Sequence, residues 1–105
     1  MAYQFQLDQR LGIYIPVLDR DWEAYSVAEQ AQILKQWEQY RSDIPGRIKE
    51  LERLIEQKQE ALNNESDFER SCQLNDEIAE LASMINDLNI WFRIQEETQI
   101  EKTHQ

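Results

Sequence analysis

The chain has 105 residues and a formal net charge of −10, with two Gly, two Pro and one Cys. That length holds one domain and is too short for two ordinary ones, and the scarcity of turn residues beside abundant Gln, Glu, Leu and Ile excludes a turn-rich β fold in favour of an all-α one. So acidic a chain repels a phosphate backbone, which argues against direct nucleic-acid binding, and Cys72 alone cannot close an intramolecular disulfide.

The opening "MAYQFQLDQR" has neither the basic start nor the apolar core of a secretory signal, and no apolar run reaches membrane-spanning length. The reading is a soluble, cytoplasmic protein with no membrane partner. Residues 1–25 form an extended arm. In it Tyr3, Phe5 and Leu7 alternate with Gln4, Gln6 and Asp8, the period of a half-buried strand. Gly12 breaks that alternation, and Pro16 holds Ile15 out of helical geometry, so "IYIPVL" is extended as well. A β-hairpin is one arrangement the two stretches allow.

Helix one is placed at residues 26–42. Ser26 and Glu29 have the spacing of a capping box, in which hydroxyl and carboxylate each satisfy a backbone N–H left open by the first turn. Ala31, Leu34, Trp37 and Tyr40 follow every third residue as a buried stripe, with Ile33 alongside. Helix two spans residues 45–63, with Pro45 at its first position and Ser42 or Asp43 placed to cap it. Ile44, Ile48, Leu51, Ile55, Lys58 and Leu62 recur at alternating intervals of four and three, which is an a/d seam.

Helix three is placed at residues 66–97, opened by a second capping-box pair, Ser66 and Glu69, and followed by a flexible tail over residues 98–105. Leu74, Ile78, Leu81, Ile85, Leu88 and Phe92 repeat the seam of helix two. Two matching seams joined by the short polar turn "NNES" predict a coiled-coil-like antiparallel hairpin, each seam burying itself against the other. Met84, Ile90, Trp91 and Ile94 lie off that seam and need a second partner, which helix one and the aromatic arm supply. The tip, around residues 63–68, then projects from a packed base.

Catalytic and metal chemistry find no purchase. The only histidine, His104, is in the tail, so the Glu-x-x-His pattern of helical di-iron sites is missing, and Glu77 with Glu80 reads as a solvated acidic face. Neither Gly12 nor Gly46 opens a phosphate-cradling loop, and no nucleophile, base and orienter can be assembled. The expectation is a protein without cofactor or metal that is not an enzyme. Trp22, Trp37 and Trp91 read as core rather than as a ligand pocket. Cys72 reads as a small, half-buried residue, and Asn86 and Asn89 as an exposed side of helix three.

The exposed end of the hairpin is the candidate protein-binding site, carried by Phe68, Glu69, Cys72, Asn75 and Asp76. Phe68 is either an aromatic anchor for a partner pocket or a staple closing the hairpin over Leu62. Residues 54–81 also resemble the UVR motif, the short helical hairpin of the excision-repair proteins UvrB and UvrC and of some partners of Clp-type proteases. The resemblance is carried by Ala61 and Leu62, by Asp67, Phe68 and Glu69, and by Leu74, Asp76, Ile78 and Leu81. The sequence departs from that pattern at Ser71 and Cys72, in place of two alanines, and at Asn75, in place of an arginine. What it implies is protein–protein binding, to another copy or to a partner whose identity is unknown, and no catalysis.

Function on this reading is that of a small adaptor or regulatory protein binding through helices and self-associating as a homo-oligomer. The alternative is a DNA-mimic inhibitor, since residues 67–97 carry eight acidic side chains against two basic ones.

Overall fold

The computed structural model describes the backbone of residues 3–103 and the side chains of residues 3–94. Two strands, β1 (Tyr3–Asp8) and β2 (Ile13–Leu18), pair antiparallel from Tyr3 opposite Leu18 to Asp8 opposite Ile13. The fold is therefore mostly helical but not purely all-α. The connecting turn closes because Gly12 adopts a φ of +75°, a conformation a Cβ would oppose, and donates its N–H to the Asp8 carbonyl at 2.7 Å. A single 3₁₀ turn at Trp22–Ala24 follows. There the Tyr25 hydroxyl donates to Asp19 at 2.8 Å while accepting the Asp19 N–H at 3.1 Å.

Three helices complete the chain: α1 (Val27–Arg41), α2 (Ile44–Asn63) and α3 (Phe68–Thr103). The capping box at the start of α1 is formed on both sides, Ser26 Oγ accepting the Glu29 N–H at 3.1 Å and Glu29 accepting the Ser26 N–H at 3.0 Å. Helices α1 and α2 are close to continuous. Ser42 and Asp43 between them keep right-handed helical dihedrals, and residues 27–63 make one long bent rod. The bend has a covalent cause: Pro45 cannot donate to the Arg41 carbonyl, and its ring crowds that group. Neither predicted cap forms here, since the Ser42 hydroxyl donates backwards to the Gln39 carbonyl at 2.7 Å and Asp43 makes no capping bond. Pro45 stands second in α2, after Ile44.

Along this rod packs α3, antiparallel to α2. The seams meet as the spacing predicts, with Leu51 on α2 and Leu74 and Leu88 on α3 fully enclosed. Where Lys58 interrupts the apolar seam, its ammonium donates to Glu77 of α3 at 2.8 Å, so the polar position is matched across the hairpin. Met84 belongs to the same core, although its spacing placed it off the seam. The buried stripe of α1 is Ile33 and Trp37, with Leu34 and Tyr40 half-buried beside them, whereas Ala31 faces solvent.

Helix α3 ends later than predicted. Nothing after residue 92 breaks a helix, and Gln, Glu and Lys favour it, so the helix runs on to Thr103 where a flexible tail was expected from residue 98. Residues 104 and 105, His104 among them, lie outside the described residues.

Three arginines lock the pieces together. Arg10, in the β1–β2 turn, reaches α3 and contacts Glu80 at 2.8 Å, Ser83 at 3.0 Å and Asp87 at 2.8 Å, one face of the helix at intervals of three and four. Arg47 of α2 holds the same turn from the other side, donating to the Leu11 carbonyl at 2.8 Å. Arg41, at the end of α1, donates to the Phe92 carbonyl and lies over the Phe92 ring at 4.0 Å from its centroid.

Candidate interaction surface at the hairpin tip

The turn between α2 and α3 is closed by its own backbone. Asn64 and Glu65 donate their N–H groups to the carbonyls of Ala61 and Leu62, and the Asn64 side chain caps the Glu60 carbonyl at 3.1 Å. The Glu65 carboxylate then accepts the Asp67 N–H at 3.0 Å. Helix α3 begins at Phe68, and the predicted Ser66–Glu69 capping box does not form among the described residues.

The phase of α3 against α2 decides which side chains face out. Ser71, Leu74 and Ile78 turn towards α2, and Leu74 is 1% exposed. Phe68, Glu69, Cys72, Asn75 and Asp76 occupy an adjoining arc of about 120° at 100° per residue, and all five are exposed. Phe68 is 80% exposed, so it does not staple the hairpin over Leu62. Cys72, expected to be half-buried, is exposed, because the inward positions of the first turns are taken by Ser71 and Leu74. The five predicted residues thus form one continuous surface of an isolated helix end, with a large aromatic ring, an acidic pair, an amide and a thiol.

Electrostatics hold the platform beneath. The Lys58 hydrogen bond, helped by Arg70 at 3.5 Å, keeps the Glu77 carboxyl below its ordinary value of 4.5. Asp19, through Arg20 and Tyr25, and Glu29, through the Ser26 cap, are lowered as well. A lowered folded-state pKa means that the unfolded chain takes up the proton first, so these contributions are present above the ordinary carboxylate range and disappear as the pH falls through the folded values. The expected result is a urea midpoint that drops on acidification from pH 7 into that range, with a shallower drop in Glu77→Gln. Equal slopes in the two proteins would remove Glu77 from the account.

Elsewhere Pro16, Leu18, Trp22, Ile33, Leu34, Trp37 and Ile94 line a half-open apolar pocket of about 200 Å³. Two of the three tryptophans therefore do line a hollow, and the third, Trp91, packs edge-on against Trp37 at 5.7 Å. The Trp37 indole N–H is buried without an acceptor among the described residues. Among the same residues, no group of three or more His, Cys, Asp or Glu side chains could hold a metal ion, and no helix is long and apolar enough to cross a membrane.

No known protein family, curated protein or solved structure matches this chain.

Proposed function

We propose that this is a small, non-catalytic cytoplasmic adaptor that docks a protein partner on the tip surface Phe68, Glu69, Cys72, Asn75 and Asp76, and that it self-associates. The observation that carries the reading is Phe68. A phenylalanine 80% exposed, on the first turn of a helix whose core-facing positions are filled by other residues, does nothing for the fold. Aromatic side chains, Phe among them, are enriched at the cores of protein interfaces. The stretch whose spacing resembles the UVR hairpin is this same tip, and protein binding is what that resemblance implies.

The test is Phe68→Ala combined with Glu69→Lys and Asp76→Lys, compared with wild type by quantitative affinity capture from native lysate. All three side chains are exposed, so the variant stays folded, with Glu69→Lys in the first turn of α3 costing about 1 kcal/mol against the helix dipole. The expected outcome is at least a tenfold loss of one specific partner, consistent with removal of an aromatic hot spot of roughly 2 kcal/mol. Capture unchanged by the variant would remove the tip as the docking site. The DNA-mimic alternative ranks lower, because Arg10 already binds Glu80 and Asp87 and so interrupts the acidic face of α3. Partner capture that survives the tip variant and vanishes at high salt is the result that would favour it.

A further inference from the structure

We propose that self-association runs through the open edge of β1, two copies pairing antiparallel about a two-fold axis at Phe5 into a four-stranded sheet. The proposal rests on the self-association reading above and assigns it to a strand, not to the helices.

The sheet has two strands, so each strand has one free edge. That of β2 is interrupted, because Pro16 in its middle lacks an N–H. On β1 no such device operates. It contains no Pro, Gly, Lys or Arg, and α1 meets it through side chains on one face, Tyr3 beside Ile33 and the Phe5 ring 5.0 Å from that of Tyr40. Apart from its pairing with β2, the only hydrogen bond to its backbone among the described residues is the one from the Gly12 N–H to the Asp8 carbonyl at 2.7 Å. An unprotected edge of this kind is a template for another strand.

Its sequence is suited to a copy of itself. Tyr3-Gln4-Phe5-Gln6-Leu7 reads apolar-Gln-apolar-Gln-apolar in both directions. Antiparallel pairing centred on Phe5 places Phe5 opposite Phe5 of the second copy, each Gln4 opposite a Gln6, and each Tyr3 opposite a Leu7. Opposed residues share a face, so the apolar trio stays on one side and the glutamines on the other. Leu7, 50% exposed in the single chain, gains the Tyr3 of the second copy as its neighbour. The five residues carry no charge, so the net charge of −10 adds no repulsion within the pairing itself; the one charged residue of β1, Asp8, lies beyond it.

Gln4 and Gln6 are both exposed, so their replacement leaves the single chain intact. The experiment is sedimentation velocity of the full chain across a concentration series, with melting curves as a folding control. Gln4→Lys with Gln6→Lys is compared with Gln4→Glu with Gln6→Glu, alone and mixed in equal amounts. Alone, each double variant opposes like charges at two positions, and the dimer dissociation constant rises about tenfold or more. Mixed, the opposed charges have opposite sign, and the constant returns to within about threefold of wild type. A wild type that stays monomeric throughout overturns both the self-association reading and this edge. A wild-type dimer indifferent to both variants, or one weakened by both and not restored by mixing, overturns the β1 edge and leaves self-association to another surface.

Discussion

Trp37→Ala is expected to lower stability by about 3–5 kcal/mol, the cost typical of emptying a large aromatic from a core. Trp37 is 2% exposed and joins the cluster built by Leu11 and Ile13 from the sheet, Ile44 and Leu51 from α2, and Met84 and Leu88 from α3. No other buried side chain of α1 belongs to that cluster. A domain of this size has only about 5–15 kcal/mol in hand. Urea unfolding checks the value against Val27→Ala, 82% exposed, which is expected to stay within about 0.5 kcal/mol of wild type. Equal midpoints for the two variants would mean that α1 is not fastened to the core as described.

Gly12→Ala comes second, at about 2–4 kcal/mol, from two additive sources. The left-handed conformation costs an L-residue roughly 1–2 kcal/mol. The new Cβ would also stand 2.7 Å from Arg47 Nε, closer than such contacts occur, and Arg47 must give way. Its withdrawal breaks the bond to the Leu11 carbonyl, a net loss of about 1 kcal/mol or more where the carbonyl is left without a donor. Arg47→Ala in the Gly12→Ala background separates the two: if the clash matters, the double variant loses less than the sum of the singles. Strict additivity would leave backbone strain as the whole effect.

Local chemistry was the part of this fold most legible in the sequence. The Ser26–Glu29 cap depends on residues three apart, and both halves of it are in place. The seams could be read from alternating intervals of four and three because each helix buries one stripe against the other, and Leu51, Leu74 and Leu88 lie where that pattern puts them. It failed where the deciding partner is distant in the chain or where equal motifs compete. Ser66 with Glu69 repeats the spacing of Ser26 with Glu29, yet no capping box forms there among the described residues; the Glu65 carboxylate takes the Asp67 N–H and α3 starts at Phe68.

Arg10 shows the second kind of failure. In the sequence it is an unremarked basic residue after a strand, and its contacts with Glu80, Ser83 and Asp87 span 70 to 77 positions. Glu80 and Asp87, seven residues apart on one face of α3, were visible, but nothing local says that a guanidinium from the β1–β2 turn lies over them. Seam residues Leu81 and Ile85 are only half-buried for a related reason: the core is centred where the sheet and α1 meet α3, which favours Met84 and Leu88.

The tip surface can be questioned through the chain's own chemistry, because Cys72 is its single cysteine and is exposed within the proposed docking face. The most direct measurement is photo-crosslinking in native lysate from a benzophenone maleimide on Cys72, in wild type and in the Phe68→Ala, Glu69→Lys, Asp76→Lys variant. A single dominant crosslinked partner, lost in the variant while its fold is retained, is the predicted result. Crosslinks of the same pattern and yield from both proteins would contradict the assignment of the tip as a docking surface.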